Sequence, residues 1–208
     1  MAEEASIKLT RIEQVVAEIK IESVTPLIMS KWREKAIQEI KEKQSASRGK
    51  TRKLEPRNPQ QEMEQATYRL EDDTPGMPAA AFKSAIVSAA RLFDGVTMTE
   101  LKQAVFVVAD GFDRDNFNEL VRIDSEEPKM FENAVRIGQG TSDLRYRPIF
   151  QNWGATLRIQ HLPSQIDISS LVSLVDAAGI GGVGEWRPTA PKSHSGSYGR
   201  FRVAEVSE

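Results

Sequence analysis

The order of hydrophobic patterns along this chain predicts an α+β fold. Three observations carry that expectation. Residues 15–22 alternate apolar and polar side chains, the period-two pattern of a strand with one buried face. Phe82, Ile86, Ala89 and Phe93 recur near helical spacing. Residues 155–160 alternate again and lead to a second helical stripe of Ile168, Leu171, Val172 and Val175.

Taken in order, the strand over 15–22 runs towards Pro26, which cannot donate to a ladder and ends regular pairing. Residues 31–43 are rich in helix formers, with Trp32, Ala36, Ile37 and Ile40 as the apolar set, and predict a helix. From 44 to 65 the larger apolar side chains are Leu54 and Met63, while Arg48, Lys50, Arg52, Lys53 and Arg57 crowd the first half. Such a segment buries too little apolar area to fold alone and predicts a mobile basic insertion that orders on a partner. Residues 66–70 suit a short strand. Pro75-Gly76-Met77-Pro78 opens a helix over 79–93, ended by Asp94-Gly95. The apolar run 103–108 reads as a buried strand, and 120–123, 134–137 and 146–150 as further strand segments. Ser164-Gln165-Ile166-Asp167 resembles a capping box ahead of the second helix, which Gly179 stops. Phe201 and Val203 mark a last strand. The succession is strand, helix, strand, strand, helix, strand: a ferredoxin-like (RRM-like) βαββαβ core in a single domain over 1–208. The basic insertion at 44–65 follows the first strand, 103–150 supplies inserted strands or a hairpin, and a Gly-rich loop precedes the last strand.

Composition narrows the function classes. The 208 residues are 39% hydrophobic and 28% charged, with a net charge of −2 and no cysteine. No run of about 18 apolar residues is present, so no membrane partner is expected. The acidic start Met1-Ala2-Glu3-Glu4 lacks an apolar signal core, and the absence of cysteine fits a reducing cytosol, so the expected location is cytoplasmic. With this balance, nucleic-acid binding requires a local basic face.

Catalytic patterns are weak throughout. His161 shares its strand side with Leu157 and Ile159 and reads as structural; His194 lies in the Gly-rich tail. Two histidines without cysteine give no zinc pattern. Asp110-Gly111-Phe112-Asp113-Arg114-Asp115 resembles a calcium loop, but Phe117 occupies a ligand position and no terminal glutamate follows at the required spacing. No Gly-Lys-Ser/Thr phosphate loop exists, and the glycines follow a helix instead of preceding one. No catalytic residue, metal or cofactor is therefore assigned.

What remains is polynucleotide binding. Gly179, Gly181, Gly182 and Gly184 fall within six residues, then Trp186-Arg187, Lys192, Tyr198 and Arg200 follow. Glycine lets a backbone approach a phosphate closely, arginine and lysine neutralise it, and aromatic faces stack on bases. Arg145 and Arg147 fall on one side of a strand, with Tyr146 between them. Lys83 and Arg91 lie two turns apart on the first helix. The site set is thus Arg48, Lys50, Arg52, Lys53, Lys83, Arg91, Arg145, Arg147, Gly181, Gly182, Trp186, Arg187, Lys192 and Arg200.

Three segments resemble the RAMP superfamily. Met77-Pro78-Ala79-Ala80-Ala81-Phe82-Lys83-Ser84 is similar to the family's Pro-Gly-Ser-Ser-Leu-Lys-Gly type helix opening, with alanines for the serines and Ser84 for the last glycine. Gly179-Ile180-Gly181-Gly182-Val183-Gly184 through Gly196-Ser197-Tyr198-Gly199-Arg200 is similar to its C-terminal Gly-rich loop. Ile21-Glu22-Ser23-Val24-Thr25-Pro26-Leu27-Ile28 is similar to its first strand. The closest type is the Cas7-like backbone protein. That resemblance implies a non-catalytic subunit, CRISPR- or phage- or plasmid-encoded, that binds a guide RNA or single-stranded DNA. It would form a homo-oligomeric filament along the strand, with other CRISPR effector subunits as further partners and a β-hairpin that kinks the strand. The basic insertion and the region 110–140 are then the places for the family's inserted elements. Relatives that cleave RNA use an aspartate after the first strand; residues 29–65 contain none. The alternatives are a phage single-strand DNA-binding or annealing protein of replication or recombination, a metal-dependent ribonuclease using the acidic middle, and a protein-binding inhibitor mimicking a backbone subunit.

Overall fold

The structure is a computed structural model that describes residues 10–31, 57–138, 141–191 and 195–204. It is mixed α+β, with four α-helices among the described residues and antiparallel pairing at every described strand contact. The main sheet is built on β1 (Val15–Ser23), whose inward Ile19 and Ile21 are buried while Glu18 and Lys20 face water. It pairs along its length with β10 (Trp153–His161), in register from Val15↔His161 to Glu22↔Gly154. The strict alternation of buried and half-buried residues along β10 is the pattern its sequence predicts. β4 (Val105–Val108) flanks β10, and β11 (Phe201–Val203) flanks β1, giving the order β11-β1-β10-β4.

One long helix from each crossover packs on the Ile19 side. The first, α2 (Ala79–Ala89), buries Phe82, Ile86 and Ala89; the second, α4 (Ile168–Gly181), buries Leu171, Leu174, Val175 and Ala178, all in one core cluster with Leu157 and Ile159. Each of the larger side chains among these, from Val to Phe, contributes roughly 1.5–3 kcal/mol by leaving water. Phe201 closes the cluster, with Phe82 at 6.2 Å and Trp153 at 6.0 Å between ring centroids in edge-on geometry.

Two small sheets attach to this body. In one, β2 (Leu27–Ile28) pairs with β9 (Thr141–Phe150), which forms a long hairpin with β8 (Lys129–Gly138). In the other, β3 (Gly76–Pro78) pairs with β6 (Glu119–Arg122), and β6 with β5 (Gly111–Phe112). A two-residue strand β7 (Asp124–Ser125) pairs with the start of β10.

Several boundaries differ from the expectation, each for a local reason. The helix predicted over 31–43 and residues 44–56 of the basic insertion lie outside the described residues after Lys31. The end of that insertion is helix α1 (Pro59–Gln65): the Asn58 side chain accepts from Gln61 N at 3.2 Å, Pro59 takes the first helical position, and Met63 is buried. Residues 66–70 form only isolated bridges at Arg69 and Leu70 instead of a strand. The expected helix to Phe93 tightens into a 3-10 turn at Ala90–Leu92, and Phe93 is extended. The expected strand from 103 begins at Val105, because Gln103 and Ala104 finish helix α3 (Met98–Ala104), whose Thr97–Glu100 capping box is closed in both directions. At α4 the cap is Asp167, whose carboxylate accepts from Ser170 N at 2.9 Å; the helix passes Gly179 and ends at Gly182, where φ is 69°.

Candidate nucleic-acid interface

Helix α2, the end of α4 and the loop after it enclose a groove of about 620 Å³. Its floor is made of small residues, Ala81 and Ala85 facing Ala177 and Ala178, which let the two helices run close together. The hydroxyls of Ser84 and Ser88 lie on one wall, and Gly181 through Glu185 form the other. Arg91 stands at one side and Arg187 at the loop, with Tyr68 and Ser30 at the remaining edge. Arg91 is exposed, while Arg187 donates to the Gly184 carbonyl at 2.8 Å. Among the described residues neither meets a carboxylate within ion-pair distance.

The glycines of this loop satisfy a close approach, but the partner is the protein's own backbone. A Cβ on Gly179 would lie 1.8 Å from the Phe201 carbonyl oxygen, and one on Gly199 would lie 1.8 Å from that of Val183. The loop amides are correspondingly committed: Gly182 N donates to Ala178 O at 3.1 Å, Val183 N to Gly199 O at 2.9 Å and Glu185 N to Ile28 O at 2.9 Å. These three amides are not available to cradle a phosphate. Gly181 and Gly182 shape the groove wall, and the charged residues that line it are Arg91, Arg187 and Glu185.

Next to the groove the loop meets the long hairpin. Trp186, with φ at 56°, packs edge-on against Phe131 of β8 at 6.0 Å, and Tyr198 completes the aromatic trio at 6.0 Å from Phe131 and 6.3 Å from Trp186. All three are half-buried, so Trp186 serves as the anchor between loop and hairpin, with part of its surface exposed.

The other expected residues scatter. Lys83 does not line the groove; its ammonium lies 3.8 Å from the ring centroid of Phe106 on edge strand β4. Arg145 pairs with Asp143 at 2.9 Å, and Arg147 reaches Asn133 across the hairpin at 3.4 Å. Arg200 stands before β11, where its carbonyl accepts from Val24 N and Thr25 N. Arg48, Lys50, Arg52, Lys53 and Lys192 lie outside the described residues. His161 is buried with Nδ1 3.0 Å from the Ile166 carbonyl oxygen, a structural placement.

The open face of the main sheet has a different character. It presents Glu18, Lys20, Thr156, Arg158 and Arg202, with Glu22–Arg202 and Asp110–Arg158 ion pairs at 2.6 Å and 3.1 Å. RNA-reading sheets of this architecture carry aromatic rings at the centre of that face; here the central strands carry charge and threonine.

Part of the acidic middle is held in ion pairs that the sequence does not signal. Lys31 Nζ bonds Asp113 and Asp115 at 2.6 Å each, with the Asp113 side chain fully buried and its Oδ2 without a partner. Arg69 holds Glu64 at 2.7 Å, which keeps the Glu64 carboxyl below its ordinary range. Arg114 bonds Asp73 and Glu64, and Arg122 bonds Asp72 at 2.7 Å. Thr74 first, and then Arg122, lower the Asp72 carboxyl to about 2. Burial, reinforced by the charges of Asp113 and Glu185, pushes the Tyr68 hydroxyl up. No sequence signal announces Lys31 with Asp113, since 82 residues separate them. No group of three or more His, Cys, Asp or Glu among the described residues is placed to hold a metal, and no described helix is long and apolar enough to cross a membrane. No protein-family model matches this chain, and no curated protein matches it.

Proposed function

We propose that this chain is a non-catalytic single-stranded nucleic-acid-binding protein of ferredoxin-like, Cas7-like plan that assembles along the strand it binds. The observation that carries the reading is the groove between α2 and the Gly-rich loop, flanked by Arg91 and Arg187 with no carboxylate neutralising either among the described residues. The order β11-β1-β10-β4, with α2 packed on the sheet in the first crossover and α4 in the second, supports the split βαβ plan. The β8–β9 hairpin supports the inserted element that such proteins lay against a strand. The mixed-charge open sheet face favours the helix side as the binding side. Polymerisation and the choice of guide RNA over single-stranded DNA rest on the resemblance of three sequence segments.

The test is fluorescence anisotropy with labelled oligouridylate and oligothymidylate across a salt series. Binding that falls with salt is expected. Arg91→Ala with Arg187→Ala is expected to reduce the salt slope by about 1.4, at about 0.7 per single-strand phosphate contact. Absence of binding at low salt, or an unchanged slope in the double variant, refutes the reading. Sequencing of nucleic acid that copurifies with the protein separates a guide-RNA subunit from a DNA-annealing protein.

A further inference from the structure

We propose that an acidic groove between α3 and the start of α4 receives residues 48–54 of a neighbouring copy of this chain, an inference that rests on the assembly reading above and supplies its contact. The groove encloses about 510 Å³ and shares no lining residue with the groove of Arg91 and Arg187. Its apolar lining is open to water: Phe93 is 39% exposed and Val96 38%. The charged residues that line it are all carboxylates, Asp94, Glu100 and Asp167. Each is exposed, and none meets a cation within ion-pair distance among the described residues. Hydrogen bonds from Thr97 hold the Glu100 carboxyl below its ordinary range, and those from Ser170 do the same at Asp167, so both are charged at neutral pH. An exposed apolar patch with a polar rim marks an interaction surface. Three carboxylates without a cation repel a polyanion and favour a partner that carries positive charge.

The chain itself contains such a partner. Residues 44–54, which lie outside the described residues, hold Arg48, Lys50, Arg52 and Lys53, no acidic residue, and one larger apolar side chain, Leu54. Four cations match the carboxylates, and Leu54 matches the open apolar lining. The tether of this segment decides which copy it reaches. Leu54 precedes Arg57 by three residues, a reach of at most about 11 Å. Arg57 is fixed to the β8–β9 hairpin by Asp143 at 2.5 Å and to α1 by Glu62 at 2.7 Å. The ladder of the main sheet runs on from Glu22↔Gly154 to Leu27↔Phe150 and into that hairpin, so the hairpin leaves the sheet where β10 begins. The acidic groove lies where β10 ends: His161 Nδ1 is 3.0 Å from the carbonyl oxygen of Ile166, which lines the groove. The nine residues of β10 set these ends about 27 Å apart, beyond the reach of Leu54. A segment seated in the groove therefore comes from another copy. Donor and acceptor occupy opposite ends of the molecule, so the contact is heterologous and repeats head to tail.

Sedimentation velocity on nuclease-treated protein measures self-association without a strand. The wild type is expected to associate as concentration rises and to dissociate as salt rises. Asp94→Lys with Val96→Lys sets like charges opposite the segment, and Lys50→Ala with Arg52→Ala and Leu54→Ala removes the segment's side of the contact. Each variant is expected to weaken association at least about tenfold and to keep the wild-type melting temperature. An equimolar mixture of the two variants holds one intact segment and one intact groove, and is expected to form a heterodimer and nothing larger. Unchanged association in the triple variant, or a mixture that stays monomeric, overturns the proposal. Assembly on an oligonucleotide by a wild-type protein that stays monomeric without one overturns this contact and leaves the assembly reading intact.

Discussion

The arginines on the two sides of this molecule have opposite surroundings. Around β5 and β6, Arg69, Arg114 and Arg122 each bond a carboxylate, and Arg158 on the inner strand β10 does the same. At the groove, Arg91 and Arg187 meet no carboxylate among the described residues. The first set ties neighbouring loops together through carboxylates; the second has no carboxylate within ion-pair distance among the described residues. Residue type alone does not separate them; the partners do.

That contrast can be broken at its scaffolds first. Gly199→Ala places a Cβ 1.8 Å from the Val183 carbonyl oxygen at a φ of 67°, so neither rotation nor a flexible neighbour relieves the clash. A loss of about 3 kcal/mol or more is expected in urea unfolding, together with loss of strand binding in the folded remainder. Lys31→Met tests the other side. It leaves the fully buried Asp113 carboxylate without its cation, and breaking a buried pair costs about 3–5 kcal/mol. The groove arginines should retain their salt slope in that variant wherever it folds, and a fall in slope would show that the two sides are coupled.

Acid sharpens the same contrast with a smaller effect. Glu64 and Asp72 have folded values below their unfolded ones, so the stability they add is complete above about pH 4.5 and is lost as pH falls through the folded values, towards about 2 for Asp72. Thermal melts between pH 6 and pH 2.5 should show this decline, and Arg91→Ala with Arg187→Ala should follow the same curve. A double variant with a shallower acid decline would place the groove arginines among the structural ones.

The sequence made the skeleton legible because periodicity reports burial directly. The alternation over 155–160 and the stripes on both helices correspond to β10, α2 and α4. Other signals were present but overlooked: Thr97-Met98-Thr99-Glu100 for α3, and Asn58-Pro59 for α1. The glycine pattern predicts a close approach to a phosphate, whereas at Gly179 and Gly199 what approaches is the chain's own backbone, which composition cannot tell apart. The Lys31–Asp113–Asp115 group had no local trace, because each partner looks like an ordinary surface charge until the fold joins them.

The pairing of β1 with β11 has a kinetic consequence. Glu22 and Arg202 bond although they lie 180 positions apart in the chain, and Ile21 aligns with Val203. On the ribosome, therefore, the outer edge of the first strand stays uncovered until residues 201–203 have been made, and Val183 lacks its Gly199 partner until residue 199 has been made. High separation of this kind slows folding. A nascent chain halted before residue 199 would lack the Val183–Gly199 contact that holds the groove loop.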